Sequence, residues 1–261
     1  MVSFFAPRNY LGCIIRGKQI ADYLGGKYNK ERGDVSGDVN IFIKPRSLDN
    51  VQDGDWVDVS DGEYVPELLK SRPKIRVIAH SLYSFKFLKK ALKNEIIWIS
   101  QQHCNWEKEH KEIKKIKTCG YIGGPNTIIR KQYEEIGKSL NKAGFEFITC
   151  FDFTTRESCN DFYKKIDVLI VGQSIENQYK TPTKLINAAS FGIPSVAYPL
   201  KSYEEWNEYI PCLKDEDISD TVKNLQFDSK KLIEAADFYH ISNVAKRYEN
   251  LYENLGNNSG L

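Results

Sequence analysis

Four consecutive residues, Thr181-Pro182-Thr183-Lys184, stand where a polar stretch gives way to the apolar run LINAASF. Hydroxyls flank a proline that is tolerated in a first helical turn, so a helix over Lys184 to Phe191 is expected to begin here. Its first backbone N–H groups carry partial positive charge, and Lys184 adds a full charge beside them. Phosphate or diphosphate binding is the chemistry this combination supports, and an ordinary surface lysine at a helix start fits the same residues. In the amino half, Pro7 to Gly12 (PRNYLG) follows the first apolar run, with Arg8, Arg16 and Lys18 around it. Such a cluster suits a phosphate, or again an exposed helix start. His80, His103, Asp58 and Asp61 end apolar runs or their loops and are the remaining polar candidates. A histidine in such a place serves proton transfer or simply hydrogen-bonds near a core. No strand carries an Asp-x-Asp pair, and His103 with His110 lacks a third ligand at useful spacing, so metal-free chemistry is expected.

The elements that must position these residues alternate between short apolar runs and lysine-rich amphipathic segments, the pattern of parallel sheets covered by helices. One set of strands is expected at Val2 to Ala6, Val39 to Ile43, Trp56 to Val59, Ile75 to Ala79 and Ile96 to Ser100. The second set falls at Cys119 to Ile122, Phe145 to Thr149, Val168 to Val171 and Ser195 to Tyr198. Helices are expected at Arg16 to Leu24, with Ile20, Tyr23 and Leu24 on one face and Gly25-Gly26 as its stop, and at Ile129 to Ala143, stopped by Gly144. Gly192-Ile193-Pro194 should turn the chain from the helix after Lys184 into the next strand, and a last helix runs from Ser242 to Leu255. Trp106 to Lys117 is nearly all charge, which places the boundary between residues 1–115 and 116–261, with the last helix free to cross back. The fold class is therefore α/β, with two Rossmann-like domains offering loops to a shared cleft.

Composition excludes several classes. Thirty-seven basic against thirty-five acidic side chains give a net charge of +2, too little for a global field that would hold nucleic acid or an acidic membrane. Six cysteines without a Cys-x-x-Cys pair read as reduced thiols. The first apolar run is too short for a signal peptide, and no run approaches a membrane span. A cytoplasmic protein is expected, with peripheral contact to a membrane surface left open. Lys86, Lys89, Lys90 and Lys93 with Phe85 and Phe87 mark either a solvated helix or a basic face for nucleic acid.

The segment PTKLINAASFGIPSVAYP, residues 182–199, resembles the donor-binding helix and following strand of GT-B-fold glycosyltransferases, in particular the retaining type with the group 1 pattern Pro-x-Lys-Leu-x-Glu-x-x-x-x-Gly-x-Pro-Val. CGYIGGPNT, from Cys119, is similar to the first strand and glycine loop of that fold's donor domain, and RGKQIADYL, from Arg16, to its first amino-domain helix. The resemblance implies sugar transfer from a nucleotide-sugar, a UDP-sugar being the expected donor, to an acceptor hydroxyl, with retention and without a cofactor. Lys184 and Thr183 match the diphosphate-binding positions, and Gly123-Gly124 the loop that lets the backbone approach the donor. Two family glutamates are replaced by Tyr179 and Asn187, of which Asn187 can still bond a ribose hydroxyl. The family's basic residue after the glycine loop is displaced, with Arg130 or Lys131 as substitutes. Glu204 and Glu205 lie where an acidic residue approaches the nucleoside. In the amino domain, Gly12 and Arg16 are expected against the substrate and His80 toward the cleft as a catalytic group. The acceptor could be a saccharide, a lipid-linked sugar or a modified nucleic acid. A nucleotide-sugar-binding module without turnover is the alternative; a nucleotide-sugar 2-epimerase would need carboxylates that are not seen.

Overall fold

A computed structural model of the 261-residue chain describes residues 1–6, 11–30, 37–60, 65–124, 127–172, 180–198, 200–206 and 218–257, with backbone only for 127–130 and 252–257. The chain divides into two units: Met1–Gln102, Glu176–Thr181 and Tyr239–Leu261 form unit 1, and His103–Ile175 with Pro182–Phe238 form unit 2. No described helix is long and apolar enough to cross a membrane.

Unit 1 is built on β1 (Val2–Phe5), β2 (Lys27–Asn29), β3 (Val39–Ile43), β4 (Trp56–Asp58), β5 (Arg76–Ala79) and β6 (Ile96–Trp98). They form one parallel sheet in the order β2-β1-β3-β4-β5-β6. Strands β1 and β3 are buried at every position, which is why they read as continuous apolar runs rather than alternating ones. The short strand β2, Lys-Tyr-Asn, has no apolar run to announce it and lies at the sheet edge.

Between β1 and β2 the chain winds through α1 (Leu11–Cys13), a π-helical turn at Ile14–Lys18 and α2 (Gln19–Leu24). Gly25 caps α2 in the left-handed region at φ 64°, the expected stop. The inward face is Ile20 and Ala21, whereas Tyr23 is exposed, contrary to the expected face. The inserted π turn rotates the helix start so that Arg16 points inward. Helices α3 (Val65–Leu69) and α4 (Leu82–Ala91) follow β4 and β5, and a Ser81/Ser84 capping box starts α4. Phe85 and Phe87 of α4 are half-buried against the core, the lysines are exposed, and Lys89 Nζ lies 5.6 Å from the centre of the Phe85 ring.

Unit 2 carries β7 (Thr118–Ile122), β8 (Glu146–Cys150), β9 (Val168–Val171) and β10 (Ser195–Ala197), parallel in the order β10-β9-β7-β8. Its helices are α5 (Thr127–Lys142), α6 (Arg156–Lys165), α7 (Thr183–Ser190), a 3₁₀ turn at Lys201–Trp206, α8 (Ile218–Lys223) and α9 (Ser229–Asp237). After α7, Gly192 adopts φ 77° and Ile193 N–H bonds the carbonyl of Ala188, so the Gly-Ile-Pro turn forms as read. The last helix, α10 (Ile241–Asn257), belongs to unit 1, where Tyr248 is fully buried and meets Phe4 edge to face, ring centroids 5.4 Å apart.

The change of unit at Gln102 precedes the charged stretch that was expected to hold the boundary. That stretch is stapled to unit 2 rather than left as a linker. Asn105 donates to the carbonyl of Ser190 at 2.8 Å, and the Lys111 ammonium reaches the carbonyl of Ile166 and the Asp167 carboxylate. Arg156 grips both oxygens of Glu107 while its guanidinium lies 4.5 Å from the Trp106 ring centroid. Charge in this segment is used for specific pairing, a distinction composition does not reveal.

The interior of unit 1 holds a buried ion pair. Arg16 Nε donates to Asp58 Oδ2 at 2.8 Å, Nη2 bonds the same oxygen, and Nη1 donates to the carbonyl of Ile99 at 3.0 Å. The other Asp58 oxygen accepts from Ser60 N–H at 2.9 Å, and both side chains are 0% exposed. Removing one partner leaves an uncompensated interior charge, so Asp58→Ala is expected to lower stability by about 3–5 kcal/mol in urea unfolding. An effect within the roughly 0.5 kcal/mol of a surface change would contradict it.

Candidate functional site

In unit 2 the parallel strands bring their carboxyl ends to one edge, the edge at which such sheets bind ligands. Strand β7 is followed there by Gly123 and Gly124, and Gly123 N–H continues the ladder by bonding the carbonyl of Cys150 at 3.1 Å. Lys184, second residue of α7, lays its side chain against this loop. A Cβ on Gly123 would fall 2.7 Å from Lys184 Nζ and closer still to the Tyr121 hydroxyl, so any other residue would displace one of these side-chain ends. Gly124 has open space around it and is exposed.

Lys184 is held by an aromatic pair. Its Nζ donates to the Tyr121 hydroxyl at 3.1 Å and lies 4.3 Å from the centre of the Tyr121 ring. Tyr121 stacks on Tyr133 of α5, centroids 3.6 Å apart. Burial raises the Tyr121 hydroxyl above its ordinary range, against a smaller opposing effect of its bond to Tyr133, so the phenol stays neutral beside the ammonium. Sequence reasoning missed both tyrosines. The available signal was spacing: Tyr121 stands two residues before Gly123 along one extended run, hence on the same side of it.

Helix α7 starts where expected, with a different cap. Its N-cap is Pro182, which offers no side-chain hydrogen bond, so the expected hydroxyl cap is replaced by a residue that cannot supply one. Thr183 is half-buried in the first turn beside Lys184. Asn187 is a correction. Its amide oxygen accepts from Cys104 N–H at 3.0 Å, and it is 9% exposed. That amide is committed to holding the start of the charged stretch, which leaves it poorly placed for a ribose. Glu204 and Glu205 are half-buried in the 3₁₀ turn after β10, and Lys131 is exposed on α5. Tyr179 and the Arg130 side chain lie outside the described residues.

Within unit 1, Gly12 lies in α1 with room for a Cβ 3.5 Å from Lys44 Nζ. Lys44, not singled out from sequence, ends β3 at φ 46°, a left-handed conformation uncommon outside glycine. Arg16 and Asp58, expected near substrate, are instead the buried pair described above. Lys18 is exposed and pairs with Asp22 at 2.6 Å, so the basic ring around Gly12 does not form from these two residues. Arg8 and Asp61 lie outside the described residues. His80 follows β5 but is only 1% exposed. Desolvation first, then the charges of Arg16 and Lys44, hold its imidazole neutral well below the usual value of 6.5, against a bond to the backbone of Val59. This histidine is packed into the interior of unit 1, not presented as the expected exposed catalytic group. His103 is likewise buried, in unit 2.

No protein-family model matches the chain, and no curated protein sequence matches it. Solved structures do. A glycosyltransferase from Rickettsia africae ESF-5 aligns over 97% of this chain and 97% of its own, with a TM-score of 0.66 at 12% identity. Anabaena HepE, solved in complex with UDP and glucose, aligns over 97% and 99%, with a TM-score of 0.61 at 9% identity. The fold is GT-B. WaaG, a glycosyltransferase involved in lipopolysaccharide biosynthesis, aligns over 96% of this chain and 95% of its own, with a TM-score of 0.53 at 9% identity. Against a chain of the GtfA/B complex and against TarM, this GT-B chain spans only 57% and 54% of their lengths.

Two measurements check the geometry. Gly123→Ala is expected to cost about 1–3 kcal/mol because a methyl group is forced between Lys184 and Tyr121, whereas Gly124→Ala should stay within about 0.5 kcal/mol; equal effects in urea unfolding would contradict the cradle. For His80, the unfolded chain takes up a proton that the folded unit refuses. Stability is therefore complete above pH 6.5 and falls below it, by up to about 1.4 kcal/mol per pH unit, until the folded value is reached. His80→Gln should remove that part of the slope, and an unchanged slope would count against a neutral buried imidazole.

Proposed function

We propose that this protein is a glycosyltransferase that moves a sugar from a nucleotide-sugar, a UDP-sugar foremost, to an acceptor hydroxyl with retention and without a metal. The observation that carries this reading is the placement of the Lys184 ammonium over Gly123 at the carboxyl edge of the unit 2 sheet, on the first turn of a helix whose N-cap gives no side-chain bond. A diphosphate there meets a fixed cation at the positively polarised start of a helix. HepE, with UDP and glucose bound, supports the choice of donor.

When the bond from the anomeric carbon to the diphosphate breaks, negative charge accumulates on the leaving oxygen. Lys184 and the α7 N-terminus stabilise that charge more in the transition state than in the ground state. The acceptor oxygen bonds the anomeric carbon on the face the diphosphate vacates, and its proton passes to the departing phosphate. No side-chain carboxylate base is needed in such a step, and none is assigned; the burial of His80 accords with this. Saccharides and lipid-linked sugars are the acceptor classes foremost in this reading, with a modified nucleic acid as the third. The same chemistry suits a protein working in the cytoplasm, where nucleotide-sugars are at hand.

The test is incubation with UDP-, GDP- and ADP-sugars while released nucleoside diphosphate is measured, with and without mixed saccharide acceptors. Turnover is expected with at least one donor, and Lys184→Ala should lower kcat by about 10²–10³-fold. Tight nucleotide binding with no release from any donor would instead identify a binding module.

A further inference from the structure

The aromatic pair beside Lys184 does more than fill space. Gly172, directly after β9, donates its backbone N–H to the Tyr133 hydroxyl at 2.6 Å. The Tyr133 ring stacks on Tyr121, centroids 3.6 Å apart, and the Tyr121 hydroxyl accepts from Lys184 Nζ at 3.1 Å. A line of contacts thus runs from a main-chain amide through two stacked phenols to the ammonium. It crosses β9, α5, β7 and α7, the main elements of one unit. Tyr121 is 2% exposed and Tyr133 4%, so neither ring swings freely.

A lysine side chain has four rotatable bonds, and fixing it on an anion costs rotamer entropy. Here the arrangement has already restricted it. The partner also matters by its charge. A carboxylate in the place of Tyr121 would hold Nζ equally well and cancel its charge; a neutral hydroxyl and a π face orient the cation and leave that charge to act on a ligand.

We infer that Tyr121, backed by Tyr133, is the positioning residue for Lys184, holding its ammonium at the one place where the second phosphate of a nucleoside diphosphate reaches it. This rests on the diphosphate reading given above. It predicts that the pair sets the preference for nucleoside diphosphate over monophosphate, because only the longer ligand gains from a cation fixed at that distance.

Calorimetric titration with UDP and with UMP tests it on the full chain. Tyr121→Phe keeps the stack and the π face and removes only the hydroxyl. It should weaken UDP by about five- to tenfold and UMP by less than about twofold, since the monophosphate does not draw on Lys184. Tyr133→Phe should shift UDP in the same direction by a smaller factor. In a Lys184→Ala background, Tyr121→Phe should have no further effect on UDP, a non-additivity that a purely structural tyrosine would not produce. Thermal melts accompany each titration, and the Phe variants keep the shape of the site. If Tyr121→Phe leaves UDP unchanged, or weakens UDP and UMP alike, while Lys184→Ala still abolishes the preference for UDP, the positioning role is wrong and the diphosphate site stands. If Lys184→Ala binds UDP as tightly as the parent protein, both readings fall.

Discussion

The arrangement at residue 123 governs the rest of the candidate site. Lys184 leaves the first turn of α7 and must cross to the end of β7, and the space it enters is the space a side chain on residue 123 would fill. With glycine there, the ammonium and the Tyr121 hydroxyl meet over bare backbone, and a ligand approaching that edge finds a cation, helical N–H groups and main chain within one small region. With any other residue, Lys184 or Tyr121 must give way. The constraint is steric first and electrostatic second, because the charge has value only where the geometry holds it.

The two units use charge in opposite ways. In unit 1 the Arg16 guanidinium is consumed by Asp58 and a backbone carbonyl, and the charge serves to join the π-helical turn, the end of β4 and the segment after β6. In unit 2 the Lys184 cation is held by a neutral phenol, which orients without neutralising. The first is architecture. The second is the kind of preorganised positive charge that phosphate chemistry needs. His80 follows the logic of unit 1: enclosed near Arg16 and Lys44, it is cheaper to bury neutral than charged.

The chain crosses between units more than once, and its composition hides where. The lysine- and glutamate-rich segment after His103 looks like a solvated linker, yet Asn105, Glu107, Lys111 and Arg156 tie it to unit 2 through side-chain pairing. Asn187 contributes by bonding Cys104 N–H, so a residue of α7 fastens the start of this segment. Helix α10 then returns to unit 1, where Tyr248 packs on Phe4 and Arg247 bonds Ser100 at 2.8 Å.

Periodicity and punctuation alone determined the α/β class, nearly every strand, and the stops at Gly25, Gly144 and Gly192, because continuous apolar runs and left-handed glycines are local requirements. They missed β2, whose three residues pair at an edge with no apolar face to display. The site was legible where chemistry is also local: Lys184 at a helix start and paired glycines after a strand. Tertiary structure alone decided which polar groups are taken up by partners inside their own unit. Arg16, Asp58, His80 and Asn187 are polar residues near element ends, as Lys184 is, and nothing in their neighbours along the chain separates them. Partners distant in sequence do: Asp58 for Arg16, Cys104 for Asn187, Tyr121 for Lys184. A polar group's role follows from what satisfies it once water is removed, and that is settled only when the sheets and helices have packed.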